Sequence, residues 1–280
     1  MTADADADVD GDVREAYLSL VQEVLLGSFA PREELIAAPR SGRRRAIDRI
    51  LSARGLQLAR RHVEAAADVQ AGAIWPRHAL TMIGRPRLDN ARACIERVIA
   101  DGVSGDIIET GVWRGGASIY MRAVLRAWGV TDRTVWVADS FVGLPVNDPK
   151  NYPADAAAMP LYEFNDVLGV SLEEVRRNFA SLQLLDEQVR FLEGFFKDTL
   201  PELTDERWAV LRLDGDLYES TIQALDALYP NLSVGGWVIV DDYGWLPECK
   251  AAVTDFRERH AISDPIELAD STGVFWQRSG

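Results

Sequence analysis

Residues 105–140 have the sequence GDIIETGVWRGGASIYMRAVLRAWGVTDRTVWVADS. The apolar segment from Asp106 to Val112 predicts a buried strand, Ala117 to Trp128 predicts a helix, and Thr134 to Ser140 predicts a second strand. A strand, a helix and a strand in succession form a βαβ unit, in which the crossover rule makes the two strands parallel. This stretch therefore predicts an open α/β sheet.

The chain continues this alternation towards its carboxyl terminus. Further strands are predicted at Val189 to Glu193, Ala209 to Leu213, Trp237 to Val240, Pro265 to Ala269 and Gly273 to Gln277. Helices are predicted from Ser171, which has Glu174 three residues later as in a capping box, and at Ser220 to Tyr229 and Glu248 to Arg259. The whole pattern predicts an α/β domain over residues 105–280, with seven strands in an open, mostly parallel sheet and helices on both faces. Between the second and third strands, residues 141–169 predict a long functional loop.

The amino-terminal part has a different composition. Residues 1–12 contain five aspartates among small residues, which predicts a disordered acidic tail. Apolar residues at helical spacing then predict helices over Val13 to Ala30 and Leu88 to Ala100. Residues 13–104 are therefore predicted to form an amino-terminal helical region that covers the ligands and contacts other subunits.

An arginine-rich segment interrupts this region. From Arg40 to Arg61 there are eight arginines and one acidic residue, Asp48. This composition favours a solvated helical face that could contact acidic surface on another subunit, with a phosphate-binding patch as the alternative.

The overall composition excludes several functional classes. The 280 residues include 44 acidic and 30 basic side chains, a net charge of -14, which argues against nucleic acid or an anionic membrane as a partner. No apolar run approaches the roughly 18 residues of a membrane span, and the chain does not open with a signal-peptide pattern. Two cysteines cannot form a disulfide framework, so the expected compartment is the cytoplasm.

Ligands of open α/β sheets bind at the carboxyl ends of the strands, so polar residues there are the candidates for function. At the first strand end, Glu109 is followed by glycines at 111, 115 and 116, which allow close approach of a ligand to the backbone. The spacing differs from the G-x-G-x-x-G of dinucleotide sites, and an acid suits a cationic or hydroxyl-bearing ligand better than a pyrophosphate. Turn glycines without a ligand role are the alternative.

The next two strand ends offer groups for a nucleoside. Asp139 could accept both hydroxyls of a ribose, as the acid of dinucleotide folds does, or could be a helix cap or a loop acid. Gly194 and Phe195 place a small residue beside an aromatic one, which could hold an adenine or simply pack in the core.

The fourth and fifth strand ends carry four aspartates, Asp214, Asp216, Asp241 and Asp242. Adjacent strands lie about 4.8 Å apart, so these carboxylates are brought together and raise one another's pKa unless a cation neutralises them. A hard divalent ion with oxygen ligands, Mg²⁺, would resolve this conflict. The alternative is that one or two of them cap the helix that follows. Zinc is disfavoured because no histidine or cysteine is adjacent in the sequence.

Six segments together resemble the macrocin O-methyltransferase (TylF/MycF/NovP-like) family, whose members are S-adenosylmethionine- and Mg²⁺-dependent sugar O-methyltransferases. They are Thr81 to Gly84, Arg87 to Asn90, Asp106 to Ser118, Ala138 to Pro145, Leu213 to Ser220 and Val238 to Tyr243. The resemblance runs from about Pro76 to Gln277 and implies a Rossmann-like class I methyltransferase sheet with an amino-terminal helical extension, in a homo-oligomer.

The resemblance also implies roles for single residues. Glu109, Gly111 and Ser118 would contact the amino-acid end of S-adenosylmethionine, and Asp139 and Ser140 would contact its ribose. Gly194 and Phe195 would flank its adenine, and Thr81 and Met82 would close over the cofactor. Asp214, Asp241 and Asp242 would ligate Mg²⁺, and Asp214 or Asp216 would be the general base that takes the proton of the sugar hydroxyl.

Three positions depart from the family pattern. The segment from Arg32 to Ala73 does not match it, Val142 stands where an acid is expected, and Phe195 stands where tryptophan is commoner. The preferred hypothesis is methylation of a sugar hydroxyl, on a glycoside or a nucleotide sugar, in natural-product (antibiotic) biosynthesis. A catechol-type diol methyltransferase of the same fold and a non-catalytic scaffold are the alternatives.

Overall fold

The computed structural model describes residues 3–37 and 45–280. Arg40, Arg43 and Arg44 of the arginine-rich segment lie outside the described residues. None of the helices in the described ranges combines the length and the apolar character that crossing a bilayer requires.

The amino-terminal part contains a small sheet as well as helices. Its elements are α1 (Ala3–Leu25), β1 (Glu33–Ala37), α2 (Arg45–Ser52), β2 (Ala59–Val63), α3 (Ala66–Ala71) and α4 (Gly84–Ala100). Strands β1 and β2 pair antiparallel. The purely helical prediction for residues 13–104 thus differs from the structure.

The arginine-rich segment explains this difference. Arg60 and Arg61 lie on β2, opposite a strand that begins with two glutamates, and Arg61 Nη2 donates to Glu33 Oε2 at 2.7 Å. Opposite charges on neighbouring strands stabilise the pair, so Arg60 and Arg61 lie in a strand with an acidic partner, whereas Arg45 and Arg49 lie in helix α2. The segment is exposed at Arg49, Arg54, Arg60 and Arg61, as expected of a solvated surface.

Helix α1 begins at Ala3, within the segment 1–12 for which the sequence predicts a disordered tail. Alanine is the strongest helix former, and aspartates in the first turns interact favourably with the helix dipole. The alternating Ala-Asp pattern is therefore compatible with a helix even though it has no apolar face.

The carboxyl-terminal part is the predicted α/β domain. Its elements, in chain order, are β3 (Asp106–Thr110), α5 (Gly116–Ala127), β4 (Val135–Asp139), α6 (Asn165–Leu168), α7 (Leu172–Ser181), β5 (Val189–Glu193), α8 (Phe196–Thr199), β6 (Trp208–Leu213), α9 (Tyr218–Leu228), β7 (Leu232–Val240), α10 (Pro247–Arg259), β8 (Glu267–Leu268) and β9 (Val274–Gln277). The helix predicted from Ser171 is α7, and the Ser171 side chain accepts a hydrogen bond from the Glu174 N–H at 3.3 Å.

Seven strands form one sheet in the order β5-β4-β3-β6-β7-β9-β8. Strands β3 to β7 are parallel, and β9 is antiparallel to both of its neighbours. The predicted open, mostly parallel seven-stranded sheet is confirmed. Its strand order reverses between β3 and β6, the position at which open α/β sheets form a ligand crevice.

Apolar layers cover both faces of the sheet. One layer packs α1, α4 and α5 against it, and the other packs α9 and α10. Cys94 lies in the first layer and Cys249 in the second, both buried and free, as expected of structural thiols.

Residues 141–169, called the lid here, connect β4 to the start of α7. The sequence predicts a long loop, and the structure adds short 3-10 turns at Pro153–Ala157 and Leu161–Phe164 before α6. Leu161 is buried in the same apolar layer as α9. The lid is therefore a packed part of the domain.

We predict that Phe179→Ala lowers the free energy of unfolding by about 3 to 5 kcal/mol, because it deletes a buried ring from the first layer. Phe179 is fully buried and meets Phe191 edge to face, with ring centroids 5.6 Å apart. Urea denaturation measures the change. The control is Phe29→Ala at a side chain that is 72% exposed, where we expect a change within about 0.5 kcal/mol. Equal effects of the two variants would contradict the described packing.

Candidate active site

A cleft of about 890 Å³, open to solvent, lies at the carboxyl ends of β3, β4 and β6. Seven of the residues that the sequence predicts for ligand binding or catalysis line it: Met82, Gly111, Asp139, Ser140, Phe195, Asp214 and Asp216. Its wall is completed by side chains without a predicted role, among them Trp113, Leu144, Lys197 and Gln223. The position matches the topological switch point of the sheet.

A second cavity of about 870 Å³ adjoins this cleft. Asp241 and Asp242 line it together with Trp75, Trp245 and other side chains. The cleft and the cavity share four residues: Met82, Leu168, Asp214 and Asp216. The carboxylates after β6 therefore stand where the two spaces meet, so that one ligand could approach them from each side.

Four predicted cofactor residues lie outside the lining of the cleft. Thr81, Glu109 and Ser118 are buried, and the Ser118 hydroxyl donates to Glu109. Gly194 is half-buried beside Phe195 and has a φ of +144°. Glu109 also accepts a hydrogen bond from Arg212, which in turn contacts the cleft-lining residue Asp214.

Gly111 is required by the geometry of the turn after β3. Its φ is +79°, and a Cβ atom there would lie 1.7 Å from the carbonyl oxygen of Asp214. The Asp214 N–H also donates to Thr110 O at 2.9 Å. The close contact between the ends of β3 and β6 thus excludes any side chain at position 111.

Asp139 ties two turns together. Its Oδ2 accepts the Val112 N–H at 2.7 Å, and its Oδ1 accepts the Phe141 N–H at 2.7 Å. Burial raises the pKa of this carboxyl group, and the backbone hydrogen bonds oppose that effect. The carboxylate of Asp139 thus fixes the turns after β3 and β4, and the residue also lines the cleft.

Three acids form a possible cation site. One carboxylate oxygen from each of Asp214, Asp241 and Asp242 lies within 4.8 Å of the other two. Within the described part of the chain, Asp242 Oδ2 is buried and has no hydrogen-bond partner. A buried carboxylate oxygen without a partner is costly, and a group of three carboxylates, which are hard oxygen donors, fits Mg²⁺.

Two arginines inside this cluster are absent from the sequence-based prediction. Arg212, in β6, contacts Glu109 Oε1 at 2.6 Å and Asp214 Oδ2 at 3.1 Å, and also pairs with Asp241. Arg87, in α4, pairs with Asp241 and lies 3.0 Å from Asp270 Oδ2. An arginine within the otherwise apolar WAVLRL strand is the sequence signal that could have indicated this network.

The arginines do not neutralise the whole cluster. Six carboxyl groups, those of Asp214, Asp216, Asp241, Asp242, Glu109 and Asp270, accompany two guanidinium groups. Burial, reinforced by the neighbouring carboxylates, raises the pKa of Asp216 to about 8 and that of Asp242 well above its ordinary value. Burial likewise raises the pKa of Asp214 to about 6 and that of Glu109 to about 7. The two arginines therefore reduce the predicted repulsion among the carboxylates. The cluster keeps an excess of negative charge that a divalent ion could neutralise.

Neither Asp214 nor Asp216 caps the helix that follows them. Helix α9 has Leu217 at its N-cap and no capping hydrogen bond from that side chain. Asp216 has a φ of +60°, an unfavourable conformation for a residue with a side chain. The capping alternative for these acids is thus wrong.

The model of the macrocin O-methyltransferase (TylF) family matches residues 14–278. The chain belongs to this family. The match includes the segment from Arg32 to Ala73, which does not follow the family pattern expected from the resemblance.

Named relatives agree with this membership. A tetracenomycin 4'-O-methyltransferase of Streptomyces olivaceus is 58% identical over 208 residues, covering 74% of this chain and 79% of the relative. The demethyldecarbamoylnovobiocin O-methyltransferase of Streptomyces niveus is 57% identical over the same length and coverage. The solved structure of the O-methyltransferase NovP is 48% identical with a TM-score of 0.82, covering 95% of this chain and all of that one. The chain is therefore an O-methyltransferase of the class that uses S-adenosylmethionine, and the scaffold hypothesis is wrong.

We predict that Gly111→Ala weakens binding of S-adenosylhomocysteine at least about tenfold, because the new methyl group displaces the end of β6 from the cleft. The matched control is Gly129→Ala, which has a similar positive φ of +65° but nothing within 4 Å of the added atom. Both variants have the left-handed backbone penalty of about 1 to 2 kcal/mol, so only the contact differs. Titration calorimetry measures the affinities, and equal losses would contradict the close contact.

We predict that Mg²⁺ binds more tightly as pH rises from about 6 to 8 and displaces protons, because burial raises the pKa of Asp214 and Asp242. Near pH 6 the carboxyl group of Asp214, whose pKa is raised to about 6, is partly protonated, so the ion must displace a proton there. Calorimetric titration at both pH values, in buffers with different ionisation enthalpies, measures affinity and proton release. Binding that is independent of pH and buffer would contradict the assignment of these acids as ligands.

Proposed function

We propose that this protein transfers a methyl group from S-adenosylmethionine to a sugar hydroxyl of a natural product, in antibiotic biosynthesis, with Mg²⁺ as cofactor. The main support is the meeting of the cleft and the cavity at Asp214 and Asp216, beside the acids that could hold a metal ion. This arrangement allows a methyl donor and a hydroxyl acceptor to approach the same carboxylates from opposite sides. Positioning two reactants in this way can supply much of the rate of a transfer reaction.

In this proposal S-adenosylmethionine occupies the cleft. Gly111 leaves room for its amino-acid end, Asp139 and Ser140 face its ribose, Phe195 faces its adenine, and Met82 separates it from the acceptor. Glu109 and Ser118 act from beneath, through the contact of Glu109 with Arg212. Thr81 and Gly194 shape the backbone around the cleft.

Asp214, Asp241 and Asp242 would hold Mg²⁺ through carboxylate oxygens. The fit is supported by their close spacing and by the buried Asp242 oxygen without a protein partner. When bound, such an ion lowers the pKa of a coordinated hydroxyl group by several units, which eases its deprotonation at neutral pH. Arg212 and Arg87 fix Asp241 in place from two sides, so that the ligand set is preorganised.

We favour Asp216 over Asp214 as the general base. Asp214 is committed to Arg212 and to the proposed metal, whereas no basic side chain of the described residues forms an ion pair with Asp216. Asp216 also lines both the cleft and the cavity. A bound Mg²⁺ would oppose the raised pKa of Asp216, so that its carboxylate could accept the proton of an acceptor hydroxyl without breaking an ion pair.

We infer that the acceptor is a sugar already joined to an uncharged aglycone. The second cavity is walled by two partly exposed tryptophans, Trp75 and Trp245, and by acids. Arg87 is the one basic side chain among its described lining residues, and Asp241 and Asp270 already occupy it. Among the described lining residues a pyrophosphate would find no free basic side chain, whereas the two tryptophans offer apolar surface to an aglycone. The names of two relatives give a rhamnosyl-tetracenomycin and a novobiocin derivative as substrates, which supports an acceptor sugar already joined to an aglycone.

A homo-oligomer is also part of the proposal. The β1-β2 sheet and α2 carry large apolar side chains that are exposed in the single chain: Leu35, Ile47, Ile50 and Val63. Such a surface is typical of a contact between subunits.

We predict that Asp242→Asn abolishes Mg²⁺ binding and reduces methyl transfer by at least about a hundredfold, while S-adenosylhomocysteine still binds. Asp216→Asn should keep both binding reactions and lose transfer to a similar extent, because only the base is removed. Both substitutions preserve shape. Calorimetry measures binding, and transfer is assayed on desmethyl glycosides with neutral aglycones, with thymidine diphosphate sugars and catechols in parallel.

The control is Asp205→Asn at an exposed aspartate, for which wild-type binding and transfer are expected. Transfer that persists in excess chelator would overturn the metal assignment. Transfer to the nucleotide sugars or to catechols alone would overturn the assignment of the acceptor.

A further inference from the structure

An aspartate of the lid is buried against a helix that leads away from the proposed catalytic acids. Asp155 lies in the 3-10 turn Pro153–Ala157 and is 1% exposed. Its Oδ1 accepts the Tyr218 N–H at 2.8 Å, and its Oδ2 accepts the Glu219 N–H at 3.0 Å. These two N–H groups belong to the first turn of α9, which lies 63 and 64 residues further along the chain.

Helix α9 depends on this distant cap. Its first N–H groups have no partner within the helix, and Leu217 at the N-cap position has no side chain that can accept a hydrogen bond. A buried carboxylate that accepts two N–H groups satisfies them and also places a negative charge at the positive end of the helix dipole. Asp155 therefore performs the function that a local Ser, Thr, Asp or Asn performs in most helices.

The lid that carries Asp155 contributes to both ligand spaces. Leu144 and Leu168 line the cleft, and Leu161 and Leu168 line the second cavity. The ends of the lid are joined by Asn165, whose side chain exchanges two hydrogen bonds of 2.9 Å with the backbone of Leu144. This joint leaves the middle of the lid to be fixed by other contacts.

The middle of the lid is attached to α9. Besides the two bonds of Asp155, the Tyr152 hydroxyl accepts a hydrogen bond from Gln223 Nε2 at 3.0 Å. Glu219 and Gln223 line the cleft from α9, which starts directly after the turn of Asp214 to Asp216. One carboxylate thus joins the lid to the helix that follows the proposed metal ligand and base.

We propose that Asp155 is a positioning residue that anchors the lid over both ligand spaces and, through the first turn of α9, fixes the turn of Asp214 to Asp216. The consequence for methyl transfer rests on the proposed function, whereas the anchoring itself follows from the contacts of Asp155 alone. Asp155 contacts no reacting atom in this scheme. Its loss should therefore change the order of the lid and the affinity for ligands before it changes the chemical step.

The test compares Asp155→Asn with Asp166→Asn in the full-length protein. Asparagine has the shape of aspartate but can accept at one oxygen only, so one N–H of α9 loses its partner and the charge is removed. Asp166 is an exposed aspartate of the same lid and provides the matched control. Hydrogen exchange read by mass spectrometry reports on the lid and α9, and calorimetry with S-adenosylhomocysteine reports on the cleft.

In Asp155→Asn we expect exchange to quicken on the order of tenfold in the middle of the lid and in the first turn of α9, with no change in β5 or α5. The affinity for S-adenosylhomocysteine should fall about fivefold to tenfold, whereas Asp166→Asn should match wild type in both measurements. Exchange in the lid and α9 that is unchanged from wild type would overturn the inference. Faster exchange spread evenly over the sheet would also overturn it, because that outcome indicates only a general loss of stability.

A second variant covers the case in which Asp155→Asn folds poorly. Asp155→Ser keeps a short acceptor without the charge and should give the same local pattern in hydrogen exchange. If wild-type protein does not bind S-adenosylhomocysteine, the proposed function fails, and the exchange comparison still decides whether Asp155 anchors the lid.

Discussion

The arrangement of the site depends on a single buried cation, Arg212. Its guanidinium group is 1% exposed and contacts carboxylates at the ends of three neighbouring strands, Glu109 in β3, Asp214 after β6 and Asp241 after β7. Buried carboxylates without a partner would destabilise the sheet edge by several kcal/mol each. The parallel strands bring these acids together, and Arg212 makes their proximity compatible with a stable fold.

The distribution of positive charge then separates the roles of the acids. Asp241 is held between Arg212 and Arg87, so its position is fixed, whereas Asp242 and Asp216 have no arginine partner among the described residues. A site with this excess of negative charge attracts a divalent cation and suits the positively charged sulfonium group of the proposed methyl donor.

The sequence predicts those parts of the structure that depend on local pattern. The strands and helices of the α/β domain follow from apolar periodicity, and the meeting of the four aspartates follows because parallel strands end at one edge of the sheet. The network of Arg212 and Arg87 is not predictable in this way, since the pairs Arg212–Glu109 and Arg87–Asp241 join residues 103 and 154 positions apart through side-chain geometry alone. The pairing of β1 with β2 is missed for a related reason, because arginines on a strand are recognisable only once the acidic partner strand is known. The cap of α9 by Asp155 likewise requires the packed lid.

The two halves of the site are built from different kinds of structure. The cleft is formed mainly by turns at the ends of β3, β4 and β6, where the contact between Gly111 and Asp214 leaves no room for change. The second cavity is formed by the lid, by Trp75 before α4 and by Trp245 in the segment between β7 and α10. Loops tolerate changes of length and side chain far better than strand ends in close contact. The chemistry of methyl transfer can therefore remain the same while the acceptor changes. In agreement with this, two relatives of 58% and 51% identity are named for substrates as different as a tetracenomycin and a mycinamicin. In the proposed function, the lid and the two tryptophans therefore select the acceptor, whereas the acids require only that the acceptor presents a hydroxyl group.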